Sequence, residues 1–318
     1  MGSLKSSRLT AGASVAADRR VRELANIAFG REVTRKVVDA ILPLNDIGSG
    51  PAFYCVHGVT GCATDFRAMA EMLGPGHKFY GIQVPTAKRN AAFAASIEHM
   101  SQYYANRLNE FQPTGPLILG GHSAGAIIAL EMAQQLRALG RDVPLLIVFD
   151  GELFNTGAEI SVFNPVYWIK LILNVPAWIR DILMVKSTFR SVVAKTKSTI
   201  ARLTDKPAGD AVEGMIDLRN FRSDHAAFVK TLFKSQFNYV PKKYLGRVVV
   251  CVAKTQPLTH FFQVEATWRK IAPAAEVVEF KGTHTSLIHP PNGLAVAEYL
   301  TGVFTQIDEA IRPPPSRP

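Results

Sequence analysis

The sequence predicts an α/β fold with a mostly parallel central sheet, helices on both faces and a helical lid insertion. Three observations carry this expectation. Apolar runs of three to five residues recur along the chain, helix-patterned segments separate them, and the rhythm breaks once, between residues 152 and 240. With 318 residues, 47% of them hydrophobic, the chain can bury a large core.

The elements follow in order. Residues 1–17 are small and polar and are expected to be disordered. From Asp18 apolar residues recur at helical spacing (Val21, Leu24, Ala25, Ala28, then Val33, Val37, Val38 and Ile41), which predicts an N-terminal helical segment over 18–45. The turn-rich NDIGSGP leads into an α/β domain expected over 46–310. Its strands are read at FYCV (53–56), FYGI (79–82), LIL (117–119), LLIVF (145–149), VVVCV (248–252) and VVEF (277–280). These are rich in β-branched and aromatic types, as buried parallel strands are. Helices are read at 97–111 and 124–139, the second stopped by Gly140. Residues 152–240 form the insertion, helical in pattern, and 311–318 a disordered tail.

Composition narrows the function classes. No apolar run reaches membrane-spanning length: the longest, 162–185, is interrupted by Lys170, Asn174, Pro176, Arg180 and Asp181. The N-terminus lacks an apolar signal core, and MGSLKS matches a myristoylation pattern only as a short chance fit. Cys55, Cys62 and Cys251 show no metal spacing, which fits a reduced cytoplasm, and Cys55 and Cys251 read as small core hydrophobes. The net charge of +10 favours acidic partners, and the stretch 170–206 alone carries +6. No nucleic-acid motif accompanies it, so it reads as a solvated face or a protein-docking face; membrane contact has no further support.

The chemistry is carried by four places. LIL runs through Gly120-Gly121-His122-Ser123-Ala124-Gly125 into a helix with no spacer, the strand–turn–helix context of a nucleophile elbow with Ser123 at its apex. The first strand ends in HGVTG (57–61), where hydrolases of this type offer an oxyanion donor, so the Val59 and Ala124 N–H groups are the candidates. His57 precedes the serine, against the chain order of such enzymes, and reads as structural. After the strand VVEF comes Lys281-Gly282-Thr283-His284, which makes His284 the preferred base over His289; His225, in a polar run, reads as a surface residue. The penultimate strand leads into Ala253-Lys254-Thr255-Gln256-Pro257 without an acid, leaving Asp150, after LLIVF, as the carboxylate at a strand end. The competing role for Asp150 is an N-cap.

FYCVHGVTG, LILGGHSAG, Asp150 after LLIVF, residues 239–248 (YVPKKYLGRV) and GTHTSLIHPPN together resemble the type I thioesterase domains of nonribosomal peptide and polyketide synthetases, α/β-hydrolases, over roughly residues 42 to 305. The acid placed early is a feature of that family, and the resemblance implies Ser123, Asp150 and His284 as its triad. Departures are Ala126, where many members have glycine, and the uncommon HGVTG loop. The implied activity is hydrolysis or cyclisation of an acyl, peptidyl or polyketide thioester carried on phosphopantetheine of a carrier protein or on coenzyme A. No cofactor or metal of the enzyme's own is expected. The first fifty residues are too few for a carrier domain and hold no Asp-Ser pair, so the carrier or synthetase is expected as a separate partner. The insertion supplies a basic docking face, and Trp168, Leu171, Leu173 and Trp178 line either an acyl channel or an ordinary lid core. The alternatives are a carboxylesterase or lipase using the same triad and a non-catalytic interaction protein that retains the fold.

Overall fold

A computed structural model describes residues 40–48, 50–157, 174, 176, 218, 221–255 and 263–311. The expected disordered ends, the helical spacing of 18–39, the basic stretch and its aromatic residues lie outside the described residues, apart from Asn174, Pro176 and Ile311, which is helical rather than part of a disordered tail. Seven strands are described: β1 (Ile41–Asn45), β2 (Phe53–Val56), β3 (Phe79–Ile82), β4 (Ile118–His122), β5 (Leu145–Phe149), β6 (Val248–Thr255) and β7 (Glu276–Thr283). They form one sheet in the order β1-β3-β2-β4-β5-β6-β7. Every neighbouring pair is parallel except β1 against β3.

The helices described in full are α1 (Arg67–Leu73), α2 (Ala91–Ala94), α3 (Ile97–Phe111), α4 (Ala124–Ala138), α5 (Ser223–Asn238), α6 (Gln263–Ile271) and α7 (Gly293–Ile311). Ser96 and Asn90 cap α3 and α2 by accepting from His99 N–H and Phe93 N–H. Alternation along β2 divides the core between the two faces of the sheet. Tyr54 and Val56 pack with α3, α4, α5 and Trp268 of α6. Phe53 and Cys55 pack with Met69 and Leu73 of α1 and with Val296, Leu300 and Phe304 of α7. The result is a helix–sheet–helix sandwich. Cys55 and Cys251 are buried in it as expected.

One expectation is corrected. Residues 41–45 are not the end of a helical segment but an antiparallel edge strand, with Ile41 opposite Ile82 and Pro43 opposite Tyr80. Proline cannot donate to a ladder, and an edge position tolerates that loss. The described residues lie in a unit that spans Val38–Pro318, so this strand belongs with the sheet. Among the described residues between β5 and β6 there is no strand, and α5 ends the insertion. No helix among the described residues is long and apolar enough to cross a membrane.

Candidate active site

Parallel strands bring their C-terminal ends to one edge, where α/β enzymes bind ligands. Register pairs His122 with Phe149, so Ser123 and Asp150, one residue beyond each, emerge from adjacent strands. Ser123 has φ 56° and ψ −122°, a conformation that a non-glycine residue holds only when its surroundings dictate it. Those surroundings are close. Ser123 N–H donates to Phe149 O at 3.0 Å, and Ala126 N–H donates to Ser123 O at 3.0 Å. A Cβ on Gly121 would lie 2.1 Å from Gly125 O, and a Cβ on Gly151 would lie 2.2 Å from the Ala126 Cβ. Ala124 opens α4, so its N–H is among those a helix cannot satisfy internally.

Asp150 is fully buried and also has positive φ, 49°. Its Oδ2 accepts from His284 Nδ1–H at 2.8 Å, and its Oδ1 accepts from Ala253 N–H at 2.9 Å. A buried carboxylate is costly unless such partners surround it. His284 follows β7 directly, and its side chain is 22% exposed. The turn after it is pinned by reciprocal bonds: Thr283 N–H donates to Ser286 Oγ at 2.8 Å, and Ser286 N–H donates to Thr283 Oγ1 at 3.3 Å. The preference for His284 over His289 is thus matched by the partner Asp150 takes. The acid is no mere N-cap: a donor and an imidazole occupy its two oxygens.

Two histidines that the sequence left without a role flank the site. His122 donates Nε2–H to the His284 carbonyl at 3.0 Å, and its ring lies 4.8 Å from that of His284. Burial and the adjacent His284 drive its pKa down to about 3. The sequence gives no signal for this contact, because the partners are 162 positions apart. His225 is not the surface residue expected. It is half-buried on α5, and its Nε2 lies 2.7 Å from Thr60 O.

His57 is structural, as read. It is fully buried, its Nδ1 donates to Gly58 O at 2.6 Å, and its Nε2 accepts from Tyr104 O–H at 2.7 Å. Burial lowers its pKa to about 4. The unfolded chain would take up a proton near the ordinary value of about 6.5, the folded one only near 4, so between these the unfolded state binds more protons. Stability is therefore expected to fall as pH drops from about 6.5 towards 4, by up to ~1.4 kcal/mol per pH unit from this group. Thermal melts across that range check it: His57→Asn, whose amide can still donate to Gly58 O, should show a shallower decline than wild type.

With this geometry in place, comparison with known proteins says what the central segment is similar to. Residues 51–157 match the Thioesterase domain family. The matched segment contains the HGVTG loop, the elbow and Asp150, and it ends at residue 157, just inside the expected insertion and well before His284. Enterobactin synthase component F of Escherichia coli (strain K12) is 35% identical over 132 residues, 41% of this chain and 10% of that protein. Malpinin synthetase of Mortierella alpina is 33% identical over 131 residues, again 41% of this chain but 2% of that protein. The chain thus spans at most a tenth of the length of these two curated relatives. Among solved structures, the NocB thioesterase domain superposes with a TM-score of 0.54 at 21% identity, covering 84% of this chain and all of that one. The Vlm2 thioesterase domain gives 0.55 at 18%, covering 82% and 96%. The fold is the α/β-hydrolase fold of thioesterase domains, and the resemblance read from the motifs holds. The match over this segment supports a thioesterase role.

Proposed function

We propose that this chain is a serine thioesterase that takes an acyl, peptidyl or polyketide group from the phosphopantetheine thiol of a carrier protein, or from coenzyme A. The observation that carries the reading is the Asp150–His284 bond at the strand edge where Ser123 stands on its strained turn. Because Asp150 holds the Nδ1–H, His284 presents Nε2 as the base. In the first step Ser123 Oγ attacks the thioester carbonyl and its proton passes to His284. The oxyanion lies against the Val59 and Ala124 N–H groups, a contribution of several kcal/mol. Collapse expels the thiol, protonated by His284, and leaves an acyl-Ser123 ester. Water, or an amine or hydroxyl within the acyl group, then gives its proton to His284 and releases acid or ring. Thioesters rather than oxygen esters are favoured by the thioesterase match and by the synthetases among the relatives.

Intact-mass analysis after fluorophosphonate treatment tests the nucleophile: one adduct on wild type and none on Ser123→Ala is expected. A solved NocB domain carries a fluorophosphonate covalently, which makes this a suitable probe. A panel of acyl-carrier, acyl-CoA and nitrophenyl ester substrates tests the class. Faster turnover of the oxygen esters would replace the thioesterase reading with a carboxylesterase one. Absence of both labelling and turnover would leave the non-catalytic reading.

A further inference from the structure

The loop that offers the Val59 N–H is a four-residue turn, Gly58 to Gly61, closed by Gly61 N–H donating to Gly58 O at 3.1 Å. It is packed from both sides. A Cβ on Gly61, at φ 80°, would meet the Phe228 ring of α5 and the Val84 side chain, each at 3.1 Å. Gly61 O accepts from Val84 N–H at 3.0 Å. Against this turn α5 sets His225, whose Nε2 lies 2.7 Å from Thr60 O, while its ring meets Phe221 edge-on at 4.7 Å. A carbonyl only accepts, so His225 Nε2 carries a proton in this contact.

Tracing these bonds gives one continuous line. His225 Nε2–H donates to the Thr60 carbonyl. The same peptide unit ends in Gly61 N–H, which donates to the Gly58 carbonyl. That next peptide unit ends in Val59 N–H. Hydrogen-bonded peptide units in series hold one another's planes and polarise one another's N–H groups. Gly58 O receives a second donor from buried His57, which fixes the last plane further.

We propose that His225 is a positioning residue at the head of this two-peptide relay, orienting and polarising the Val59 N–H for the oxyanion, and so makes acylation depend on the seating of α5. The proposal rests on the serine-thioesterase reading, because only a developing oxyanion gives the relay something to act on. The consequence is a link between insertion and chemistry. Residues 158–217 precede α5 in the chain, and the first turn of α5 carries the group that completes the oxyanion loop. The histidine itself touches no reacting atom.

The test compares wild type with His225→Ala, His225→Phe and His225→Gln, by thioester turnover and by rate of fluorophosphonate labelling. Loss of a whole oxyanion donor costs about 10²- to 10³-fold in kcat, so a misaligned one should cost roughly tenfold to a hundredfold. His225→Ala and His225→Phe are expected to lose that much in kcat and in labelling rate, with KM within about twofold. Phenylalanine keeps the ring contacts with Phe221 and Phe228 and guards against a merely unseated helix. Glutamine, whose Nε2–H reaches a similar position, should recover most of the rate. Wild-type rates in His225→Phe, equal losses in Gln and Phe, or a loss confined to KM would each overturn the relay. A wild type that neither labels nor turns over would overturn the serine reading instead, so the two failures are distinguishable.

Discussion

Asp150→Asn is expected to lower kcat by about ten-thousandfold while KM and melting temperature stay near wild type. The reason lies in the two oxygens of the carboxylate. Oδ1 faces Ala253 N–H and must remain an acceptor, so the asparagine amide would place its oxygen there and its NH₂ towards His284. An NH₂ facing Nδ1 forces the imidazole into the tautomer with its proton on Nε2, the atom that accepts from Ser123 in the proposed mechanism. The backbone argues for Asn as the clean probe, since it tolerates the positive φ of residue 150 at least as well as Asp. Asp150→Ala would confuse the result: it removes an acceptor of the buried Ala253 N–H as well as the partner of His284. Steady-state kinetics with an acyl-CoA, paired with thermal melts, measures the effect. A kcat within tenfold of wild type would remove Asp150 from the proposed triad.

Gly125→Ala is expected to destabilise the fold by about 3 kcal/mol or more, the upper end of overpacking costs. Its Cβ would lie 2.4 Å from both the Val56 and His57 carbonyl oxygens. Those atoms are backbone, and Val56 is the last residue of β2, fixed between β3 and β4, so no side chain can swing aside. Relief requires α4 to move off the sheet, which would carry Ser123 with it, or the end of β2 to move, which would carry the HGVTG loop and its proposed oxyanion donor. Activity should therefore collapse further than the folded fraction alone accounts for. Denaturant melts together with activity per folded molecule check both parts.

The proposed triad positions were readable because each is tied to a strand end, and the ends of buried parallel strands are marked in sequence by apolar runs that stop. LIL overlaps the start of β4 and LLIVF coincides with β5, and Ser123 and Asp150 are the residues that follow those two strands. The missed edge strand shows the limit. ILPLN follows a helix-period run, contains proline, and has a mixed burial pattern because only β3 lies beside it. His225 shows another limit. Its neighbours in the chain are polar, and the carbonyl it meets is 165 residues away. A bond to backbone leaves no trace in the composition of either partner. The same holds for His122, whose contact with His284 reaches a main-chain oxygen.

The hold of Ala253 on Asp150 has a consequence for inheritance. The penultimate strand steadies the acid through a main-chain N–H rather than a side chain, and every residue type but proline supplies that group equally. Ala253 is buried in the core, so packing limits what can stand there, but any substitution the core accommodates, proline apart, leaves this anchor in place. The second support of the carboxylate is thereby shielded from genetic drift, while Asp150, Ser123 and His284 remain exposed to it.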